Sequence, residues 1–237
     1  MSITLAGVSA GYGRSPAIVE NIDLTIETGE VTVLIGPNGC GKSTLLKTIG
    51  RLLKPRSGSI HVDELDVLAT DPKRVARTIA YLPQSPIVPI SITVEQLVDA
   101  AIATTGLEDF RHKAVAEMSG GQRQRAFIAM ALAQDTPYVM LDEPTTFLDI
   151  RHQMETMELV RQLHDAGRTS IVVLHDIAQA ARYGDRLVVM HAGRIVAQGK
   201  PAAVVTPELL HSVYGLNCMV YPDPVTGTPV VTPLRSD

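Results

Sequence analysis

Only two cysteines, Cys40 and Cys218, occur in the 237 residues, too few for a disulfide framework. Long apolar runs are missing as well. None approaches the ~20 residues of a membrane span, and Ile128 to Ala133 is among the longer. Basic charge is not in excess. The net charge is −4, so the chain lacks the electrostatic footprint of a protein whose main partner is nucleic acid. The opening residues, Met1 to Leu5, have neither a charged n-region nor a long apolar core, and no secretory signal is expected. There is no internal repeat and no low-complexity linker. These absences predict a soluble, cytoplasmic chain whose contact with a membrane, if any, runs through a partner.

What remains is ordinary globular material: 45% hydrophobic and 19% charged residues, enough for one large α/β domain or two small lobes sharing a core. The most informative stretch is Gly36-Pro37-Asn38-Gly39-Cys40-Gly41-Lys42-Ser43-Thr44. It places Gly36, Gly41, Lys42 and Ser43 as a phosphate-binding loop requires. Before it, Val31 to Ile35 is β-branched and apolar, like a buried parallel strand. After it, Thr44 to Ile49 reads as a helix. Strand, glycine loop and helix together form an anion site. The glycines let backbone amides wrap a phosphate chain, and the helix N-terminus adds partial positive charge. Lys42 would reach the outer phosphates, and the Ser43 hydroxyl would ligate Mg²⁺. A nucleoside triphosphate is the expected ligand. Cys40 stands in a variable position of this loop and reads as filler rather than as a reactive thiol. The remaining histidines, among them His61, His112 and His191, are scattered and suggest no metal site.

Tyr138-Val139-Met140-Leu141 is an apolar strand that ends in Asp142-Glu143. Asp142 is placed to hold Mg²⁺, directly or through water, and Glu143 to orient and deprotonate a water. Ser170 to Leu174 is another buried strand, ending at His175. Parallel strands bring their C-terminal ends together, so His175 is expected beside Asp142 and Glu143. A second anion-binding helix start appears at Ser119-Gly120-Gly121-Gln122. One nucleotide needs one phosphate loop, so this second site implies a second nucleotide, or a nucleotide contacted from another copy of the chain.

The remaining pattern predicts two antiparallel strands between Ile3 and Ile26, and further strands at Gly58–Val62 and Ile79–Leu82. Helices are expected at Val94–Ala103, Gly120–Gln134, Ile150–Ala166, Asp176–Tyr183 and Val204–Tyr214. A hairpin is expected around Ala192-Gly193, and a turn-rich tail follows it. Alternating strands and helices after residue 30 predict a mostly parallel sheet covered on both faces, with an attached antiparallel β-lobe. Residues from about Gln84 to Gly120 read as a helical excursion from that sheet.

In order and spacing, these elements resemble the ATP-binding subunits of ABC transporters. Gly36 to Thr44 is similar to the Walker A loop, and Gln84 to the Q-loop. Ser119 to Gln122 is similar to the signature motif, with Met118 where Leu is usual. Tyr138 to Asp142 looks like the Walker B strand, Glu143 the catalytic glutamate, Leu148-Asp149 the D-loop, and His175 the switch histidine. Tyr12 fits the aromatic that stacks on adenine. Thr145 to Asp149 with His152-Gln153, and Ala197-Gln198-Gly199 with the Pro- and Gly-rich tail, look most like the branch that imports iron–siderophore complexes, haem and vitamin B12.

The resemblance implies a P-loop NTPase α/β core with an N-terminal β-lobe, all within one domain over 1–237. Residues 85–134 would form its helical subdomain. It implies ATP and Mg²⁺ as cofactors and hydrolysis to ADP and phosphate. Two copies would pair head to tail, each nucleotide lying between Lys42, Ser43, Asp142 and Glu143 of one copy and Ser119 and Gly121 of the other. Gln84 would reach the Mg²⁺ and sense the membrane subunit. Two permease subunits and an external binding protein are implied partners, and the cytoplasmic face of the plasma or inner membrane the location. One departure is visible. Gln84 and Ser119 stand 35 positions apart, fewer than this branch usually shows, and the missing part falls after Val98. The alternatives are an ABC ATPase driving another transport process and a nucleotide-binding regulatory protein no longer coupled to transport.

Overall fold

The computed structural model describes residues 1–84, 86 and 108–235. The expected helix over Val94–Ala103 and the shortened stretch after Val98 lie outside the described residues.

A six-stranded sheet organises the rest. Its strands are β3 (Val31–Ile35), β6 (Ile79–Leu82), β7 (Tyr138–Asp142), β8 (Thr169–Val173), β9 (Arg186–His191) and β10 (Arg194–Gly199), in the order β10-β9-β3-β8-β7-β6. All neighbours pair parallel except β9 with β10, the hairpin turning at Ala192-Gly193. The central strands β3, β7 and β8 are buried at every residue, which explains their mostly apolar sequences. Their alternation still sorts the side chains by face. Val33, Val139, Leu141, Val172 and Val189 point into one core and Leu34, Met140, Ile171, Val173 and Val188 into the other.

The first face is covered by α3 (Gly120–Ala133), α4 (Ile150–Asp165), α5 (Ile177–Tyr183) and the C-terminal helices α6 (Pro201–Val204) and α7 (Pro207–Tyr214). On the second face lie α1 (Lys42–Ile49), α2 (Pro72–Ala76) and the antiparallel lobe. That lobe comprises β1 (Ser2–Ala10), β2 (Val19–Glu27), β4 (Ser57–Val62) and β5 (Leu65–Asp66), in the order β2-β1-β4-β5. No helix among the described residues is long and apolar enough to cross a membrane.

Two expectations need correction. The single helix over Val204–Tyr214 is two pieces: α6 ends at Val204, and α7 starts afresh with Thr206 capping the Leu209 amide and Pro207 in its first turn. The turn-rich tail holds a hairpin, β11 (Cys218–Pro222) with β12 (Pro229–Pro233). Asp223 closes its loop by accepting from the amides of Val225 and Thr226. The short elements α2 and β5 had no counterpart in the sequence reading. In the excursion, the described part contains only 3₁₀ turns, Glu108–Phe110 and Val115–Glu117, before α3.

Candidate functional site

The parallel register sets the site. Leu34 pairs with Val173, Asp142 with Val173, and Leu82 with Leu141, so β3, β8, β7 and β6 all end along one edge. The glycine loop, His175, Asp142-Glu143 and Gln84 leave from those ends. They surround a cleft of about 650 Å³, lined in part by Asn38, Gly39, Gly41, Lys42, Ser43 and Thr44. That volume suits a small-molecule ligand.

The loop is tight for a steric reason. Gly36 has φ 150° and Gly41 φ 106°, both in a region that disfavours side chains. A Cβ on Gly36 would fall 2.1 Å from the Met190 carbonyl oxygen, and one on Gly41 2.5 Å from Val19. Inside this wrap the Lys42 ammonium is buried and donates to the carbonyls of Gly36 at 2.8 Å and Pro37 at 3.1 Å. The cation is thus placed at the loop's centre, with its chain already ordered. The Cys40 thiol is buried, and burial pushes its pKa up against the opposing pull of Lys42, as expected of filler rather than a nucleophile.

Asp142 is buried at the end of β7. Its two oxygens accept from the Ser43 hydroxyl at 2.9 Å and the Tyr81 hydroxyl at 3.1 Å. Burial raises its pKa, the two hydrogen bonds oppose that, and the Glu143 charge adds to the rise. Glu143 follows with φ 54°, a conformation costly for a side-chain-bearing residue. Its carboxylate stands 2.6 Å from His175 Nε2 and accepts from the Thr146 hydroxyl at 3.2 Å and from the Gln84 amide. His175, Glu143, Asp142, Ser43 and Gln84 thus converge. Thr146, Ile18 and Tyr81 belong to the same neighbourhood and were missed: Tyr81 arrives through the parallel pairing of β6 with β7, Ile18 from the antiparallel lobe just before β2, and Thr146 from the loop three residues after Glu143.

Tyr12 stands off the cleft wall, 45% exposed, with the Lys47 ammonium 6.0 Å from its ring centre. Ser119 to Gln122 and Asp149 are not part of the cleft lining. Ser119 and Gln122 form a reciprocal cap on α3: the Ser119 hydroxyl accepts from the Gln122 amide at 3.3 Å, and the Gln122 side-chain oxygen from the Ser119 amide at 3.1 Å. Ser119 and Gly120 are exposed to solvent. Asp149 caps α4.

Comparison with known proteins follows the same lines. A family model described as ABC transporter matches residues 19–146. A probable siderophore transport system ATP-binding protein of Bacillus subtilis (strain 168) is 43% identical over 255 positions, covering 98% of this chain and 92% of that protein. A ferric enterobactin transport ATP-binding protein of Escherichia coli (strain K12) is 43% identical over 250 positions, covering 96% of this chain and 92% of its own. A solved dimeric ATP-binding cassette, in a post-hydrolysis state bound to ADP and Pi, aligns with a TM-score of 0.77 at 28% identity. That alignment covers 84% of this chain and 98% of the other.

Proposed function

The chain belongs to the ABC transporter family, and from that premise we propose that it is the ATPase subunit of an importer for iron(III)–siderophore or a related metal chelate. The family makes it an ATP-binding, ATP-hydrolysing protein. The cargo class rests on one observation: nearly the whole chain aligns at 43% identity with ATP-binding proteins of siderophore and enterobactin transport. No comparable observation favours export or a purely regulatory role.

Within the cleft, the amides of Gly39 and Gly41 and the Lys42 ammonium hold the triphosphate. Ser43 and Asp142 supply hard oxygen donors 2.9 Å apart, with a carboxylate that burial leaves short of charge compensation. Such a pair fits Mg²⁺, and Gln84, which donates to Glu143 in the same cleft, would complete the site. Bound there, Mg²⁺ would neutralise charge on the phosphate oxygens. Glu143 takes the proton of the attacking water, and His175, already beside that carboxylate, orients it and contacts the γ-phosphate. Tyr12 stacks on adenine. Ser119 to Gln122 and Asp149, which lie outside the lining of the chain's own cleft, serve the nucleotide of a second copy. The pair works beneath two permease subunits at the cytoplasmic face of the membrane, with an external binding protein delivering cargo.

Reconstitution with its permease and binding protein in vesicles, followed by uptake of a radiolabelled iron chelate, tests this reading. Uptake that requires internal ATP and disappears with Glu143→Gln is expected. ATP hydrolysis without uptake of any iron chelate would overturn the cargo assignment.

A further inference from the structure

Three elements meet at His152, in the first turn of α4. The Asp149 carboxylate accepts from the His152 amide at 2.9 Å and lies 2.8 Å from the ring Nδ1. The same ring presses on the first turn of α3. A Cβ on Gly121 would fall 2.3 Å from His152 Cδ2 and 2.6 Å from Cγ. Gly121 is helical and needs no unusual φ, so its missing side chain answers to space, and His152 fills that space. Gln153, the next residue, donates to the Leu148 carbonyl at 3.0 Å. Its side-chain oxygen accepts from Gln179 at 2.6 Å. Gln179 sits on α5, where its amide donates to Asp176, the residue after His175.

These contacts form one continuous path. It leaves the His175-Asp176 strand end, passes through Gln179 and Gln153 into the loop ending at Leu148-Asp149, and reaches the start of α3 through His152. One end touches this chain's own cleft; the other carries a helix start that lies outside the cleft lining.

We propose that His152, Gln153 and Gln179 form a positioning strut that fixes Ser119 to Gly121 relative to the His175 side of the cleft. The orientation of the helix start offered to a second copy is then set by the first copy's own cleft. None of the three lines the cleft, so they act through Gly121, Leu148 and Asp176. The proposal rests on the paired-cleft reading above.

Sedimentation velocity over a range of protein concentrations, in saturating ATP and Mg²⁺, tests it. The parent is Glu143→Gln, compared with the same protein carrying His152→Ala or Gln153→Ala. Each added change should weaken the ATP-dependent dimer at least about fivefold, the lower end of ordinary coupling between sites. ATP affinity measured at dilutions where the chain is monomeric should stay within about twofold. His152→Asn, whose side-chain amide can still donate to Asp149, should recover part of the loss. Leu24→Ala, a cavity in the β-lobe core, should lower the melting temperature and leave the dimer constant alone. An unchanged dimer constant in His152→Ala, an equal loss of monomer ATP affinity, or the same weakening from Leu24→Ala would each overturn the strut. A parent that binds ATP and never pairs would overturn the paired-cleft reading itself, and the strut with it.

Discussion

Glu143 is the residue on which the proposed chemistry turns. Its backbone is held at φ 54°, and its carboxylate is steered by Gln84, Thr146 and His175. Glu143→Gln keeps the size and two of these contacts but cannot take a proton. Phosphate release should fall by at least about 10²-fold while ATP titration shows binding retained. Full activity in this variant would remove the general-base role. Asp142 gives a prediction with a sign. Its pKa is raised in the folded chain, mainly by burial. The folded state therefore favours the protonated carboxyl. That contribution is complete below the unfolded value of about 3.9 and is lost as pH rises through the higher folded value. At pH 7 the ionised side chain is a cost to the ligand-free protein. Asp142→Asn should raise the melting temperature at pH 7 by roughly 2 °C or more, the gain shrinking as the pH is lowered into the carboxylate range, while Mg²⁺-dependent hydrolysis is lost. A melting temperature that falls at pH 7 would contradict the burial argument.

At the scale of elements, helix starts carry the site. α1 opens on Gly41 with no side-chain cap, leaving its amides for a ligand, whereas α3 opens on the capping box of Ser119 and Gln122. Ser119→Ala removes that cap. It should cost about 1 kcal/mol, read as a melting temperature lower by roughly 2–4 °C for a chain of this size. Most elements were legible in the sequence because each states its own environment. Val31 to Ile35, apart from Thr32, and Tyr138 to Leu141 are apolar because both faces of the sheet are covered. The glycine loop is legible because its backbone tolerates nothing else at Gly36 and Gly41. The break at Val205-Thr206 escaped notice because apolar pairs, Val204-Val205 and Leu209-Leu210, flank it, and only Pro207 and the Thr206 cap mark a new start. The tail hairpin escaped because Pro222, Pro229 and Pro233 lie at its strand ends, where proline costs little, yet in sequence they read as breakers. The contact between His152 and Gly121 joins residues that share no local pattern, so nothing short of the fold could disclose it.

At the scale of the molecule, the division of labour is spatial. The cleft gathers the glycine loop, Glu143 and His175 at one edge of the sheet, while Ser119 to Gln122 lie outside its lining. A single copy thus separates groups that one hydrolytic site is proposed to use together, which is the physical argument for pairing. The chain is also shorter than its relatives. Since 98% of 237 residues is about 232, the 255-position alignment leaves about 23 positions of the Bacillus subtilis protein without a counterpart here. The cleft keeps every element despite that loss. Light scattering of purified Glu143→Gln, with and without ATP and Mg²⁺, tests most directly whether the two halves of the proposed site still meet. The account predicts a doubling of mass that appears with ATP and reverses on its removal. A chain that binds ATP by titration yet keeps the same mass would contradict it.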